Sequence, residues 1–260
     1  MRILNVAVLV AAVAVFGSSG VAAAAPKDYC ADLKGGIAGA TCVIQLSDAG
    51  YNVDISFPTD YPDQKSVADY ITQTRDGFLN VAKSGAPRDT PYELNITSTN
   101  YGSAIPPRGT QALVLKVYQN VGAAHPQTMY QAFNWDQSYR KPIVWDTAGD
   151  DKKTPLWRVD DPLKTVAPIV QAELQKQMAP PVPAVPPAQP GQPTATPPPA
   201  PTAPPVAIAP TALYDPMNYQ NFAVTNDGVI FFFSQGQLLP EAAGATQVLV
   251  PRAAIDPMLA

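Results

Sequence analysis

His125 is the single histidine of the 260-residue chain, so any Ser-His-Asp relay or imidazole-held metal must pass through it. It sits in the string GAAHPQT, a loop between two strand candidates. No G-x-S-x-G elbow, H-E-x-x-H pair or phosphate-cradling glycine loop accompanies it. Asp136, Asp146, Asp150, Asp151, Asp160 and Asp161 are the residue type of a glycosidase acid and base, but solvated loop charge explains them more simply. Tyr130, Phe133, Trp135, Tyr139 and Trp145 read as a mixture of core and surface aromatics, with the turn YRKP over residues 139–142. Within that turn Tyr139, Arg140 and Lys141 form the best small basic and aromatic cluster for a partner. The expectation is no catalytic centre, no cofactor and no metal.

The elements that must position these residues follow from periodicity. YNVDISF (residues 51–57) alternates apolar and polar side chains as a half-buried strand does, and SVADYITQTRDGFLNVA places Val67, Tyr70, Ile71, Thr74 and Phe78 on one helical face, with Ser66 as N-cap. PYELNITSTNY, QALVLKVYQNV and TMYQAFNWD then read as three strands whose short connections favour antiparallel pairing. In the second of them Leu113, Leu115 and Val117 make an apolar face opposite the mixed face of Val114, Lys116 and Tyr118.

A further helix is expected from Asp161 as N-cap and Pro162 as first residue, broken or kinked at Pro168, with Val166, Val170 and Leu174 facing a sheet. Near the C-terminus Asp227-Gly228 supplies hairpin chemistry. In VIFFF both the Val229, Phe231 and Phe233 face and the Ile230 and Phe232 face are apolar, the pattern of a strand covered on both sides.

Residues 180–210 interrupt this globular text with an uncharged run that helps to hold almost half of the 30 prolines. Such a run lacks both backbone donors and apolar bulk, so an extended, disordered insertion is expected. It is a ligand for proline-recognising domains, a tether glycosylated at Thr194, Thr196 and Thr202, or a tolerated surface insertion. The single folded domain is then residues 25–179 with 211–260.

At the N-terminus Arg2, an uncharged apolar run and small residues at Ala22 and Ala24 make a three-part secretory signal over residues 1–24. Its removal leaves 16 basic residues against 21 acidic ones, a net charge of −5. That balance argues against nucleic acid or an anionic membrane as a bulk electrostatic partner. Cys30 and Cys42 are the only cysteines, an even count in an exported chain, so one disulfide is expected, worth about 3 kcal/mol on the chain-entropy model. The alternatives are a metal site, short of ligands with one distant histidine, and a redox pair, which lacks C-x-x-C spacing.

The strings YPDQKS, PYELNITS, SAIPPRGTQA, VLKVYQN, NYQNFAVTNDGVIFFF and LLPEAAG resemble the mycobacterial secreted immunogenic proteins of MPT/MPB type over most of the mature chain. More distantly, Gly122 to His125 followed by a strand, then Thr225, Asp227, Gly228, Phe231, Phe233, Pro240 and Gly244, resemble the extracellular domain of RsiV-like anti-sigma factors. The resemblance implies an α+β fold with helices on an antiparallel, β-grasp-like sheet, a turn or sheet-edge role for His125 with its ring bonded to nearby backbone groups, and a secreted antigen without an established catalytic activity. The proline-rich insertion and the stretch TAGDDKKTPLWRVDDP depart from that pattern, so nothing is carried over to residues 147–210.

The expected function is a secreted, non-enzymatic module that binds an extracellular or host protein, without stable membrane insertion once the signal is cleaved. An RsiV-like lysozyme-binding sensor or inhibitor and an envelope-glycan hydrolase are the alternatives. N-terminal sequencing of the exported protein is expected to start at Ala25; a chain that retains Met1 contradicts cleavage.

Overall fold

The computed structural model describes residues 27–84, 90–105, 109–123, 125–179 and 207–260. The expected signal segment, the expected Ala25 start and residues 180–206 of the proline-rich run lie outside them. Where the chain is described again, Ile208, expected within the extended insertion, is instead buried in the same core as Val170 and Leu174, so the folded domain includes it.

A short helix α1 (Tyr29–Asp32) leads into β1 (Gly36–Ala38), β2 (Thr41–Asp48) and β3 (Tyr51–Pro58), which pair antiparallel in chain order. The disulfide between Cys30 and Cys42 forms and ties α1 to β2. Gly35 is dictated by it, since a Cβ there would lie 2.6 Å from the Cys42 sulfur and 2.8 Å from that of Cys30.

Helix α2 (Gln64–Ser84) buries Val67, Ile71 and Phe78, the expected stripe, with Tyr70 half-buried. Its start differs from expectation: the Asp63 carboxylate accepts the Ser66 N–H at 3.2 Å, so Asp63 rather than Ser66 satisfies the first turn. β4 (Tyr92–Ser103) pairs parallel with β3 from Tyr51↔Tyr92 to Ile55↔Ile96. The reason is the connection: α2 carries the chain back across the sheet, as a parallel neighbour requires. β5 (Thr110–Asn120), β6 (Gln127–Asp136) and β7 (Lys141–Val144) then add antiparallel, as expected, and β8 (Thr154–Pro155) adds parallel to β7 to complete eight strands in sequential order. Lys141 and Pro142, expected in the turn, are instead paired with Asp136 and Trp135 in β7, and the turn is 137–140.

Helix α3 (Leu163–Met178) runs unbroken through Pro168, which lies exposed. Two short helices are therefore not formed; an exposed proline removes one helical donor while packing on the buried stripe Val166, Val170 and Leu174 holds the rest. Pro162 takes the N-cap position expected of Asp161, whose carboxylate pairs with Lys164 at 3.2 Å.

The chain ends in a second sheet, β9 (Phe222–Val224), β10 (Gly228–Phe233) and β11 (Thr246–Pro251), with β10 central. Both faces of β10 are covered. Val229, Phe231 and Phe233 pack with α3 residues and Trp145 in one core; Phe232 packs with Ala112, Val114, Tyr101 and Tyr130 of the large sheet in another. Leu113, Leu115 and Val117 face the opposite way, into the core under α2. The layers are α2, large sheet, small sheet and α3, an α+β architecture. Gly228 matters here for close approach as well as for its φ of 151°: a Cβ would stand 2.0 Å from the Val250 carbonyl oxygen of β11.

The small sheet meets the free edge of β6 through side chains. The N–H groups of Thr128, Tyr130 and Ala132 donate to Gln235 Oε1 at 3.0 Å, Ser234 Oγ at 3.1 Å and Asn221 Oδ1 at 2.9 Å. Asn134 Nδ2 of β6 also donates to the Phe222 carbonyl of β9 at 2.7 Å, and in the other direction the Gln235 main-chain N–H donates to the Thr128 carbonyl at 2.9 Å. Phe231 is fully buried with its ring 5.5 Å from Trp145 and 5.4 Å from Tyr219. Phe231→Ala is expected to destabilise by about 3–5 kcal/mol in urea unfolding, and a loss below about 1 kcal/mol contradicts its core role.

Candidate functional site

The segment after β7 turns on its own aspartates. Asp146 accepts the N–H groups of Thr147 at 2.7 Å and Ala148 at 3.4 Å, and its carbonyl accepts the Trp157 N–H at 3.2 Å. Asp150 accepts those of Lys152 at 2.7 Å and Lys153 at 2.8 Å. These are local turns of the kind aspartate favours. They wrap a groove of about 620 Å³ whose apolar part is Trp145, with Pro162 and Leu163 at the start of α3 on one side and Tyr214, Pro216 and Gln220 on another. Trp145 is fixed by rings 5.1 Å (Trp157) and 5.2 Å (Tyr219) away.

Asp146, Asp150, Asp160 and Asp161 all line this groove, with Lys153. The folding of two loops and of the segment that returns from the proline-rich run brings them together; spacing alone does not. Asp151 is exposed and outside the lining, and all five are solvated loop charges. Asp136 differs. It is fully buried at the end of β6, where its Oδ1 accepts the N–H groups of Ser138 at 2.8 Å and Tyr139 at 2.9 Å. It shapes a turn rather than serving as loop solvent charge.

A glycosidase acid needs an apolar site that raises its carboxyl pKa. The Asp150 carboxyl moves the other way: the Lys152 N–H, then that of Lys153, hold it below its ordinary value. Among the described residues no group of three or more metal-ligating side chains converges.

A second pocket of about 500 Å³ joins His125 and Pro126 to Gln235, Glu241, Ala242 and Gly244. His125 and Gly244, from two distant parts of the RsiV-like pattern, thus line one pocket. His125 is exposed, and no hydrogen bond joins its ring to a described residue, so the expected ring-to-backbone bond is not formed there. Thr225, Asp227 and Gly228 serve the β9–β10 turn: Thr225 Oγ1 donates to the Gly228 carbonyl at 3.0 Å and the Asp227 carbonyl accepts the Arg252 N–H at 2.8 Å. Phe231 and Phe233 are core.

The aromatic set divides by layer. Phe133 packs 6.4 Å from Tyr61 and 6.1 Å from Tyr70 under α2, Tyr130 lies 5.3 Å from Phe232 between the sheets, and Trp145 floors the groove. Tyr139 is 65% exposed on the β6–β7 turn, beside exposed Arg140 and half-buried Lys141.

Over 261 aligned residues spanning the whole of both chains, this chain is 58% identical to "Immunogenic protein MPT64" of Mycobacterium tuberculosis and likewise to "Immunogenic protein MPB64" of Mycobacterium bovis. The chain belongs to the MPT64/MPB64 immunogenic protein family. It is also 42% identical, over 97% of this chain and 96% of the other, to "Esterase Rv3036c" of Mycobacterium tuberculosis. Residues 155–253 match the family described as "Protein of unknown function (DUF3298)", in keeping with the distant RsiV-like relation. A crystal structure of a DUF3298 protein from Pseudomonas aeruginosa is similar at 12% identity and a TM-score of 0.47, over 85% of this chain and 94% of that one.

Within this MPT64-like chain, the groove residues Lys153, Tyr214 and Gln220 and the pocket residues Gln235 and Glu241 were not legible as site residues. They stand in no periodic or motif context, and only tertiary folding assembles them. Since the Asp150 carboxyl is depressed, its support of the 150–153 turn is present at neutral pH and is lost as pH falls through the lowered value. An NMR titration of the Lys152 and Lys153 amides should show a midpoint below the ordinary carboxylate range; a midpoint above it contradicts the capping.

Proposed function

We propose that this protein is exported and works outside the cell as a non-enzymatic, immunologically visible module that binds an extracellular or host protein. The observation that carries the reading is the β6–β7 turn, capped by the Asp136 carboxylate, which holds a 65% exposed tyrosine beside two cationic side chains. Tyrosine and arginine are the residue types that dominate protein-binding hot spots. Support comes also from the full-length relatives named immunogenic proteins at 58% identity. The net negative charge speaks for a protein partner over nucleic acid or an anionic bilayer. No described helix is long and apolar enough to cross a membrane.

A second reading, ester hydrolysis, is favoured by the 42% relative named an esterase and by the pocket that holds His125 and Glu241 together. The mature protein incubated with p-nitrophenyl esters of short and long acyl chains decides between them. No turnover above buffer is expected. Turnover that falls about 100-fold or more in His125→Ala, the scale of a lost general base, would replace the first reading with the second.

A further inference from the structure

Among the described residues two that are not glycine have positive φ, Lys34 at 61° and Arg140 at 54°. Lys34 ends α1, its N–H bonded to the Ala31 carbonyl at 2.9 Å, and the next residue is the glycine forced by the disulfide. Arg140 closes the four-residue turn between the paired residues Asp136 and Lys141. That backbone position suits glycine or asparagine, which adopt it at little cost. The turn therefore explains the conformation without explaining an arginine side chain, and a strained residue kept on an exposed turn points toward function.

The surroundings sharpen the point. The buried Asp136 carboxylate fixes the Ser138 and Tyr139 amides from below, so the turn is anchored to the end of β6. No described residue pairs with the Arg140 guanidinium or the Lys141 ammonium. Tyr139 packs its ring against none of the described aromatics and stands in solvent. Two hot-spot side chains are thus presented on a preorganised backbone, which lowers the ordering cost of association. A guanidinium with open donors matches a carboxylate in bidentate geometry, and this basic pair stands on a chain of net negative charge.

Building on the interaction reading above, we propose that the turn at residues 137–141 is a docking point for an acidic polypeptide segment. The segment's carboxylate is held by Arg140, with Lys141 adding charge, and an adjacent apolar or aromatic side chain of the segment lies on the Tyr139 ring.

A random peptide library displayed on phage, panned against the mature wild-type protein, tests this. Recovered peptides are then titrated by fluorescence anisotropy against wild type, Arg140→Gly, Arg140→Lys and Tyr139→Ala. Enrichment of peptides with Asp or Glu beside an apolar residue is expected. Arg140→Gly should weaken their binding about 10-fold or more, with a melting temperature equal to or above wild type because glycine relieves the backbone. Arg140→Lys should also weaken binding, since an ammonium cannot make the bidentate contact. Peptides that bind wild type and Arg140→Gly alike overturn the turn as the site and leave the interaction reading standing. Enrichment of no peptide overturns both, and displacement by heparin but not by polyglutamate overturns the assignment to a polypeptide.

Discussion

A strand at the edge of a sheet cannot bury its outward N–H groups without partners, and each one left orphaned costs about 1–3 kcal/mol. In this chain the small C-terminal sheet lies over the large one beside the outer edge of β6 without adding a strand to it. The three outward amides of Thr128, Tyr130 and Ala132 are met instead by the side-chain oxygens of Gln235, Ser234 and Asn221. Because the bonds come from side chains, β9 and β10 are free to lie across the sheet face, and Phe232 enters between Tyr101, Tyr130, Ala112 and Val114. The second core, which includes the three strand residues Val229, Phe231 and Phe233 with Trp145 and α3, stands on that arrangement.

The same joint places the three candidate surfaces. The 145–163 segment passes between β7 and α3, and residues 214–220 lead into β9, so the acidic groove lies where the two halves of the chain meet. The His125 pocket likewise forms between the start of β6 and the loop after β10, clasped by the reciprocal bonds of Gln235 and Thr128. The Tyr139 turn grows from the opposite end of β6, where buried Asp136 terminates the strand. One strand thus carries both a structural seam and, among the described residues, the most exposed aromatic side chain.

Much of this was legible in the sequence wherever burial follows local periodicity. The α2 stripe of Val67, Ile71 and Phe78, the two faces of β5 and the doubly apolar β10 all come out as their side-chain spacing requires. The disulfide followed from the even cysteine count in a chain expected to be exported. What depends on distant chain was not legible. The parallel β3–β4 pairing needs the path of α2, and the burial of Asp136 needs a turn folded over it. The convergence of Asp146, Asp150, Asp160 and Asp161 needs two loops to close on one groove. Caps erred by small register shifts, as with Asp63 for Ser66, because neighbouring residues of similar chemistry compete for the same amides.

Native-state hydrogen exchange of the Thr128, Tyr130 and Ala132 amides tests the seam most directly. These groups face away from β5, so only the side chains of the small sheet protect them. Slow exchange that tracks global unfolding is expected, as for the amides of Leu115 and Val117 in the sheet interior. Exchange of the three at rates of an open strand edge, with Leu115 and Val117 still protected, would contradict it.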